Sequence, residues 1–278
     1  MDLLRYAAFS DDPAAGNPAG VVLAAAGLTD AEMLAAAAGI GYSETAFLVG
    51  RDDTGHDIRY FSPLAEVPFC GHATVATAVA LAERDGPGPV RFRTRSGVVP
   101  VTTAPDPDGR LTATLTSVDA RSEPAADADV REALAALDWA PADLDPALPP
   151  HVAYAGAFHL VLAAATRDRL AALDYDFDRL GTLMAARDWT TLQLVWRQEP
   201  AVFQSRNPFP PGGVVEDPAT GAAAAALGGY LREVGAIRPP AALTVFQGVD
   251  LGRPGRLDVT VPADRGGIDV RGTAVRID

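Results

Sequence analysis

The residue types best suited to moving protons fall in two short runs, Cys70-Gly71-His72 and Asp217-Pro218-Ala219-Thr220-Gly221. Each run opens an Ala-rich stretch of helical character. The two stretches also align at a constant offset of 150 positions, which pairs Glu66 with Glu216, Pro68 with Pro218, Gly71 with Gly221, Leu81 with Leu231 and Glu83 with Glu233. One duplication at so long an offset predicts two similar halves, since the repeats of a solenoid are far shorter. In each copy a glycine-containing turn leads directly into a helix. A helix start offers unpaired backbone N–H groups and the positive end of a dipole. Two such starts facing one cleft would bind a small anion, most simply a carboxylate.

Several side chains around these runs have two readings each. Glu44, in Gly41-Tyr42-Ser43-Glu44-Thr45, is either a solvated loop carboxylate or a general acid/base. At the edge of an apolar pocket it would lose solvation, and its pKa would rise toward the working pH. Cys70 reads as a small buried hydrophobe and His72 as an ordinary first-turn residue. Alternatively, His72 at a positive helix end stays neutral and relays protons or donates a hydrogen bond. Asp217 and Thr220 are either plain helix-start residues, or Asp217 pairs with His72 or orients a substrate amine. Asn17, in Gly16-Asn17-Pro18-Ala19-Gly20, is a turn residue or a donor to substrate. That run is not a phosphate loop, because it lacks the Gly-Lys-Ser/Thr ending and leads into no helix. Arg206 is either a surface residue or the cation that neutralises an acid in the cleft.

The bulk properties narrow the class. At 278 residues with 48% hydrophobic content, the chain can bury a substantial core. Its net charge of −13 argues against nucleic acid or an anionic membrane as partner. All the basic residues are arginine, so no lysine is present for Schiff-base or pyridoxal-phosphate chemistry. The single cysteine, Cys70, can form neither an internal disulfide nor a CxxC metal site. The four histidines show no HxxxH or HExxH spacing, so no metal is expected. The first residues lack an apolar signal core and no apolar run approaches a membrane span, which makes a cytoplasmic protein the expectation.

The elements that must position these residues read as many short strands and few long helices, an α+β pattern. Strands are expected at residues 3–9, 21–23, 45–49, 58–62, 90–101 and 111–118. A loop is expected over 10–20, and a helix capped by Thr29 and Glu32 should end at Gly39. The second half predicts a helix at 129–137, a strand at 158–164, helices at 167–173 and 177–186, and strands at 191–196 and 201–205. After the helix from Gly221 come strands at 243–247, 257–261 and 270–277. The Ala-, Asp- and Pro-rich residues 125–150 are the interdomain candidate. The expected division is 1–120, with 268–278, against 121–267.

Taken in order, these segments resemble the phenazine-biosynthesis (PhzF-like) isomerase family, a branch of the diaminopimelate epimerase fold. The matching runs are 16–22, 43–47, 66–74, 216–222 and Gln247-Gly248 with Gly252-Arg253-Pro254. The resemblance implies two pseudo-symmetric lobes, each a curled, mostly antiparallel sheet around a central helix. It places the acid/base glutamate on Glu44, the cleft histidine on His72 and the cleft aspartate on Asp217. Asn17, Cys70, Gly71, Thr220, Gly221 and Ala222 would contact substrate. It implies a cofactor-independent isomerase acting on a small anionic carboxylate, without metal, as a homodimer. Two departures qualify it. The epimerases of this fold use two cysteines, and here only Cys70 is present, so a Cys/Cys racemase is excluded. Phenazine-pathway members tend to carry serine after the second glycine, where this chain has Ala222. The alternatives are an epimerase pairing Cys70 with a carboxylate, or a non-catalytic carboxylate-binding protein.

Overall fold

The computed structural model describes all 278 residues. They form two compact units, one of Met1–Thr116 with Arg271–Asp278, the other of Ser117–Val270.

The first unit contains β1 (Leu4–Ala8), β2 (Asn17–Val22), α1 (Asp30–Ile40), β3 (Glu44–Asp52), β4 (Gly55–Phe61), β5 (Glu66–Val67), α2 (Gly71–Asp85), β6 (Pro89–Thr94), β7 (Gly97–Pro105) and β8 (Leu111–Thr116). Strand order is β1-β2-β3-β4-β6-β7-β8, with β5 on the side of β4. Pairing is antiparallel except at β2–β3 and β4–β6. A parallel neighbour requires a crossover, and α1 and α2 are the helices that make the two crossovers.

The second unit contains β9 (Arg121–Pro124), α3 (Asp127–Leu137), β10 (His151–Tyr154), β11 (Phe158–Ala163), α4 (Arg167–Ala171), α5 (Phe177–Arg187), β12 (Trp189–Glu199), β13 (Val202–Arg206), β14 (Pro208–Phe209), β15 (Val214–Glu216), α6 (Gly221–Glu233), β16 (Ala241–Gln247) and β17 (Gly255–Val261). From β10 the order β10-β11-β12-β13-β16-β17 alternates antiparallel, parallel, antiparallel, parallel, antiparallel, as β1-β2-β3-β4-β6-β7 does. The internal repeat is therefore a repeat of topology, with α2 and α6 at equivalent places. A last strand, β18 (Asp269–Arg276), pairs antiparallel with β1 and also neighbours β8, closing the ring of strands in the first unit.

Burial explains why both repeated helices are built from small residues. α2 is buried continuously from His72 to Ala82, so no face is left for charge. Its two threonines satisfy their hydroxyls within the helix: Thr74 Oγ1 donates to Cys70 O at 2.6 Å and Thr77 Oγ1 to Ala73 O at 2.7 Å. In α6, Gly229 packs so closely on Ala120 that an added Cβ would lie 2.7 Å from the alanine methyl.

Several boundaries differ from expectation. The segment around Asn17 to Gly20 is not loop but the start of β2. Pro18 is registered against Ala7 of β1, and pairing to β3 begins at Ala19. α1 keeps the Thr29/Glu32 capping box but ends at Ile40, with Gly41 rather than Gly39 in the left-handed cap. Residues 125–150 do not link two units. Leu134, Leu137 and Trp139 lie within a core cluster of the second unit, together with Leu160, Leu162, Leu192 and Leu194. No helix is long and apolar enough to cross a membrane.

Candidate active site

Glu44 is the first residue of β3, registered against Ala19 of β2, and its side chain is only 15% exposed. Its Oε2 lies 3.5 Å from His72 Nε2. Burial raises its pKa above the ordinary glutamate value, and side-chain hydrogen bonds with Ser43 and Cys70 partly oppose the rise. His72 is buried in the first turn of α2. Its Nε2 is also 3.4 Å from Ser43 Oγ, and its Nδ1 is 3.3 Å from Cys70 Sγ. Cys70 is the N-cap of α2 in an extended conformation, but its side chain does not cap the helix. The thiol is thus left facing His72, while Gly71 occupies the first helical position. Asn17 is buried at the start of β2, opposite Ala8. The first unit therefore brings Glu44, Cys70 and His72 together. Any two of their ligating atoms lie within 4.8 Å, and one carboxylate, one thiol and one imidazole form a donor set that could hold a metal ion.

The second unit builds its counterpart differently. Thr220 stands where Cys70 stands, as an N-cap whose side chain does not cap its own helix. Its hydroxyl donates to Asp217 Oδ2 at 2.5 Å. Asp217 is buried, and its N–H donates to Asn207 O at 3.0 Å. Gln247, at the end of β16, clamps the loop: Nε2 donates to Asp217 O at 2.7 Å and to Thr220 Oγ1 at 3.0 Å, and Oε1 accepts from Thr220 N at 3.0 Å. Gly248 follows because its φ is +77° and an added Cβ would lie 2.7 Å from Pro218 O. Gly221 and Ala222 form the first turn of α6.

Gln247→Leu is accordingly expected to destabilise the protein by about 1–3 kcal/mol, since it orphans the polar groups that Gln247 satisfies. Urea unfolding would measure this, and an unchanged midpoint would show that the clamp is not needed.

Arg206 does not face a cleft as a free cation. It is buried in an ion pair with Glu216, with Nε donating to Oε2 at 2.9 Å and Nη1 to Ala171 O at 2.7 Å. The repeat partner of Glu216, Glu66, is held in the same way by Arg59, at 2.8 and 2.6 Å. The glutamates that open both motifs are thus anchors for the turns that follow. Ser43 and Gln247 are the site residues that sequence reasoning passed over. Both lay inside the matching motifs, and the signal for Ser43 was its place directly before Glu44.

The chain matches the family model described as phenazine biosynthesis-like protein (PhzC-PhzF) over residues 6–278. It is 34% identical over 264 residues to the uncharacterized isomerase YddE of Escherichia coli K12, covering 91% of this chain and 88% of that one. Among solved structures, a Bacillus anthracis phenazine biosynthesis protein of the PhzF family superposes with a TM-score of 0.90 at 26% identity, covering 100% of this chain and 98% of that chain. A hydroxyproline epimerase from Agrobacterium vitis superposes with a TM-score of 0.62 at 13% identity, covering 99% and 90%, a likeness of fold alone.

Proposed function

The chain belongs to the phenazine biosynthesis-like (PhzC-PhzF) family and is an isomerase of that type; from this premise we propose that it relocates a proton on a small amino or hydroxy carboxylic acid, with Glu44 as the acid/base. The observation that carries the reading is the desolvated Glu44 carboxyl held 3.5 Å from the His72 imidazole, at the start of α2. Glu44 removes a proton made acidic by the neighbouring carboxylate and returns it to another carbon on the same face. His72 donates to the charge that develops between the two steps. Asp217, positioned by Thr220 and Gln247, orients the substrate amine. The amides around Gly71 and Gly221 take the carboxylate, and Asn17, Cys70, Thr220 and Ala222 complete the contacts. In this reading the two units act as two similar lobes and the enzyme needs no cofactor, in keeping with a chain that has no lysine. It is a cytoplasmic homodimer. Ala222, where phenazine-pathway members tend to carry serine, favours a small acid other than the phenazine precursor.

One observation favours a second reading. Cys70 Sγ lies 3.3 Å from His72 Nδ1, a contact that could activate the thiol as one base of an epimerase. Turnover of small amino and hydroxy acids in D₂O separates the two. Migration of a double bond, with deuterium at the carbon that the double bond has left, is the expected result. Deuterium at the α-carbon with inversion, abolished in Cys70→Ala, would replace Glu44 by Cys70 as the acting base. No proton exchange with any ligand that stabilises the protein would leave carboxylate binding as the function.

A further inference from the structure

We propose that Glu44, Cys70 and His72 form a binding site for a soft divalent cation, Zn²⁺ above all, and that its occupancy switches off the acid/base chemistry. The geometry is the basis. Zn²⁺ binds thiolate at about 2.3 Å and imidazole or carboxylate at about 2.0–2.2 Å, which in a tetrahedron sets neighbouring ligand atoms about 3.6 Å (S to N) and about 3.3 Å (N to O) apart. His72 Nε2 lies 3.8 Å from Cys70 Sγ and 3.5 Å from Glu44 Oε2. Two of the three ligand-to-ligand edges are thus present to within a few tenths of an ångström, and the third, from Cys70 Sγ to the Glu44 carboxylate, is no longer than 4.8 Å.

The ligand types agree with the geometry. A thiolate selects against Mg²⁺ and Ca²⁺, while an imidazole and a carboxylate complete a set suited to zinc. Three protein ligands leave the fourth position for water, as in open zinc sites. Cys70 and His72 are buried at the start of one helix, whose backbone fixes their spacing, and Glu44 begins a neighbouring strand. A net charge of −13 raises the local concentration of cations. On binding, the thiol gives up its proton to solvent and the Glu44 carboxylate becomes a ligand. A carboxylate bound to the metal cannot take a substrate proton, so the ion acts as an inhibitor. That last step rests on the proposed role of Glu44; the binding itself does not.

Cobalt is the probe, because Co²⁺ takes zinc sites and reports a thiolate ligand by a sulfur-to-metal charge-transfer band in the near ultraviolet. Cys70 is the chain's only cysteine, so the band has one possible source. The expected result is a band that saturates at one Co²⁺ per chain and is displaced by Zn²⁺. It should be lost in Cys70→Ser. In His72→Ala and Glu44→Gln, Zn²⁺ affinity by calorimetry should fall by more than the roughly 10- to 100-fold that loss of an outer-shell partner costs. Absence of the band in the wild-type protein overturns the site, and so does affinity unchanged in both His72→Ala and Glu44→Gln. If the metal binds but leaves proton exchange with substrate unaffected, the site stands and the role of Glu44 falls.

Discussion

Glu44→Gln is expected to lower proton transfer by about 10²–10⁴-fold, the usual contribution of a positioned acid/base, while the protein remains folded. Glutamine keeps the shape of the side chain at the head of β3 but cannot accept a proton. The stability of the variant gives a second, independent readout. Burial raises the pKa of Glu44 in the folded protein, so the native state still holds its proton at a pH where the unfolded chain has released it. The resulting stability is fully present below the unfolded pKa and is lost as pH rises through the folded one. Above the ordinary glutamate range the wild-type protein therefore bears the cost of keeping this carboxyl out of water, a cost that the Glu44→Gln variant lacks. The variant should melt at or above the wild-type temperature there, with the difference shrinking as pH falls below the ordinary glutamate range. Loss of exchange together with equal or greater stability is the signature of a functional, strained group. If exchange of the substrate's deuterium with solvent persists near wild-type rates, Glu44 is not the base. If the variant unfolds, Glu44 is holding the structure rather than serving chemistry.

What could be read from the sequence was whatever is carried by residue identity at fixed spacing. The helix starts at Gly71 and Gly221 fall where the repeat places them, because both copies use the same glycine followed by small residues that tolerate burial on every side. The Thr29/Glu32 cap was legible for the same reason, being a local hydrogen-bonding motif. What was not legible depends on partners distant in the chain. Asn17-Pro18-Ala19-Gly20 has the composition of a loop; its strand character comes from β1 and β3, which flank it. Gly20 is needed because an added Cβ would lie 2.5 Å from Thr45 Oγ1, a contact between strands that no local pattern announces. The strand His151–Tyr154 directly follows the Ala-, Asp- and Pro-rich residues 125–150 and is defined by its pairing to β9 and β11. In the candidate site, Glu44 and His72 were legible as candidates from residue type and position and were given cleft roles by the resemblance, whereas their approach to 3.5 Å is set by how β3 and α2 pack. Arg206 shows the limit most clearly. Glu66 and Glu216 obey the 150-residue register, but their arginines do not, since Arg59 precedes its glutamate by seven positions and Arg206 by ten. The two halves reproduce the ion pair without reproducing its spacing.

That difference between equivalent pairs leads to the largest expected effect on stability. Arg206→Ala is expected to cost about 3–5 kcal/mol, the range for removing one partner of a buried ion pair. The side chains of Arg206 and Glu216 are 9% and 4% exposed, so the glutamate left behind would be a charge with almost no access to water. The carbonyl of Ala171 would lose its donor as well. Arg59→Ala should cost well under half as much. Arg59 is 21% exposed, and Glu66 keeps a second partner in Arg95 at 2.6 Å. Because the penalty comes from the orphaned charge rather than from lost attraction, replacing both partners by apolar residues, as in Arg206→Met with Glu216→Leu, should restore most of the stability. Urea unfolding of the four proteins is the measurement. Equal costs for Arg206→Ala and Arg59→Ala, or a double variant no better than the single, would show that burial does not set the energetics of this pair. The consequence should extend to function, since Glu216 directly precedes Asp217 and fixes the end of β15 from which the 217–220 loop departs. The double variant, if it recovers stability, leaves that loop held by Gln247 and by the Asn207 carbonyl. Proton exchange should then return with stability, because the ion pair anchors the turn and takes no part in the chemistry.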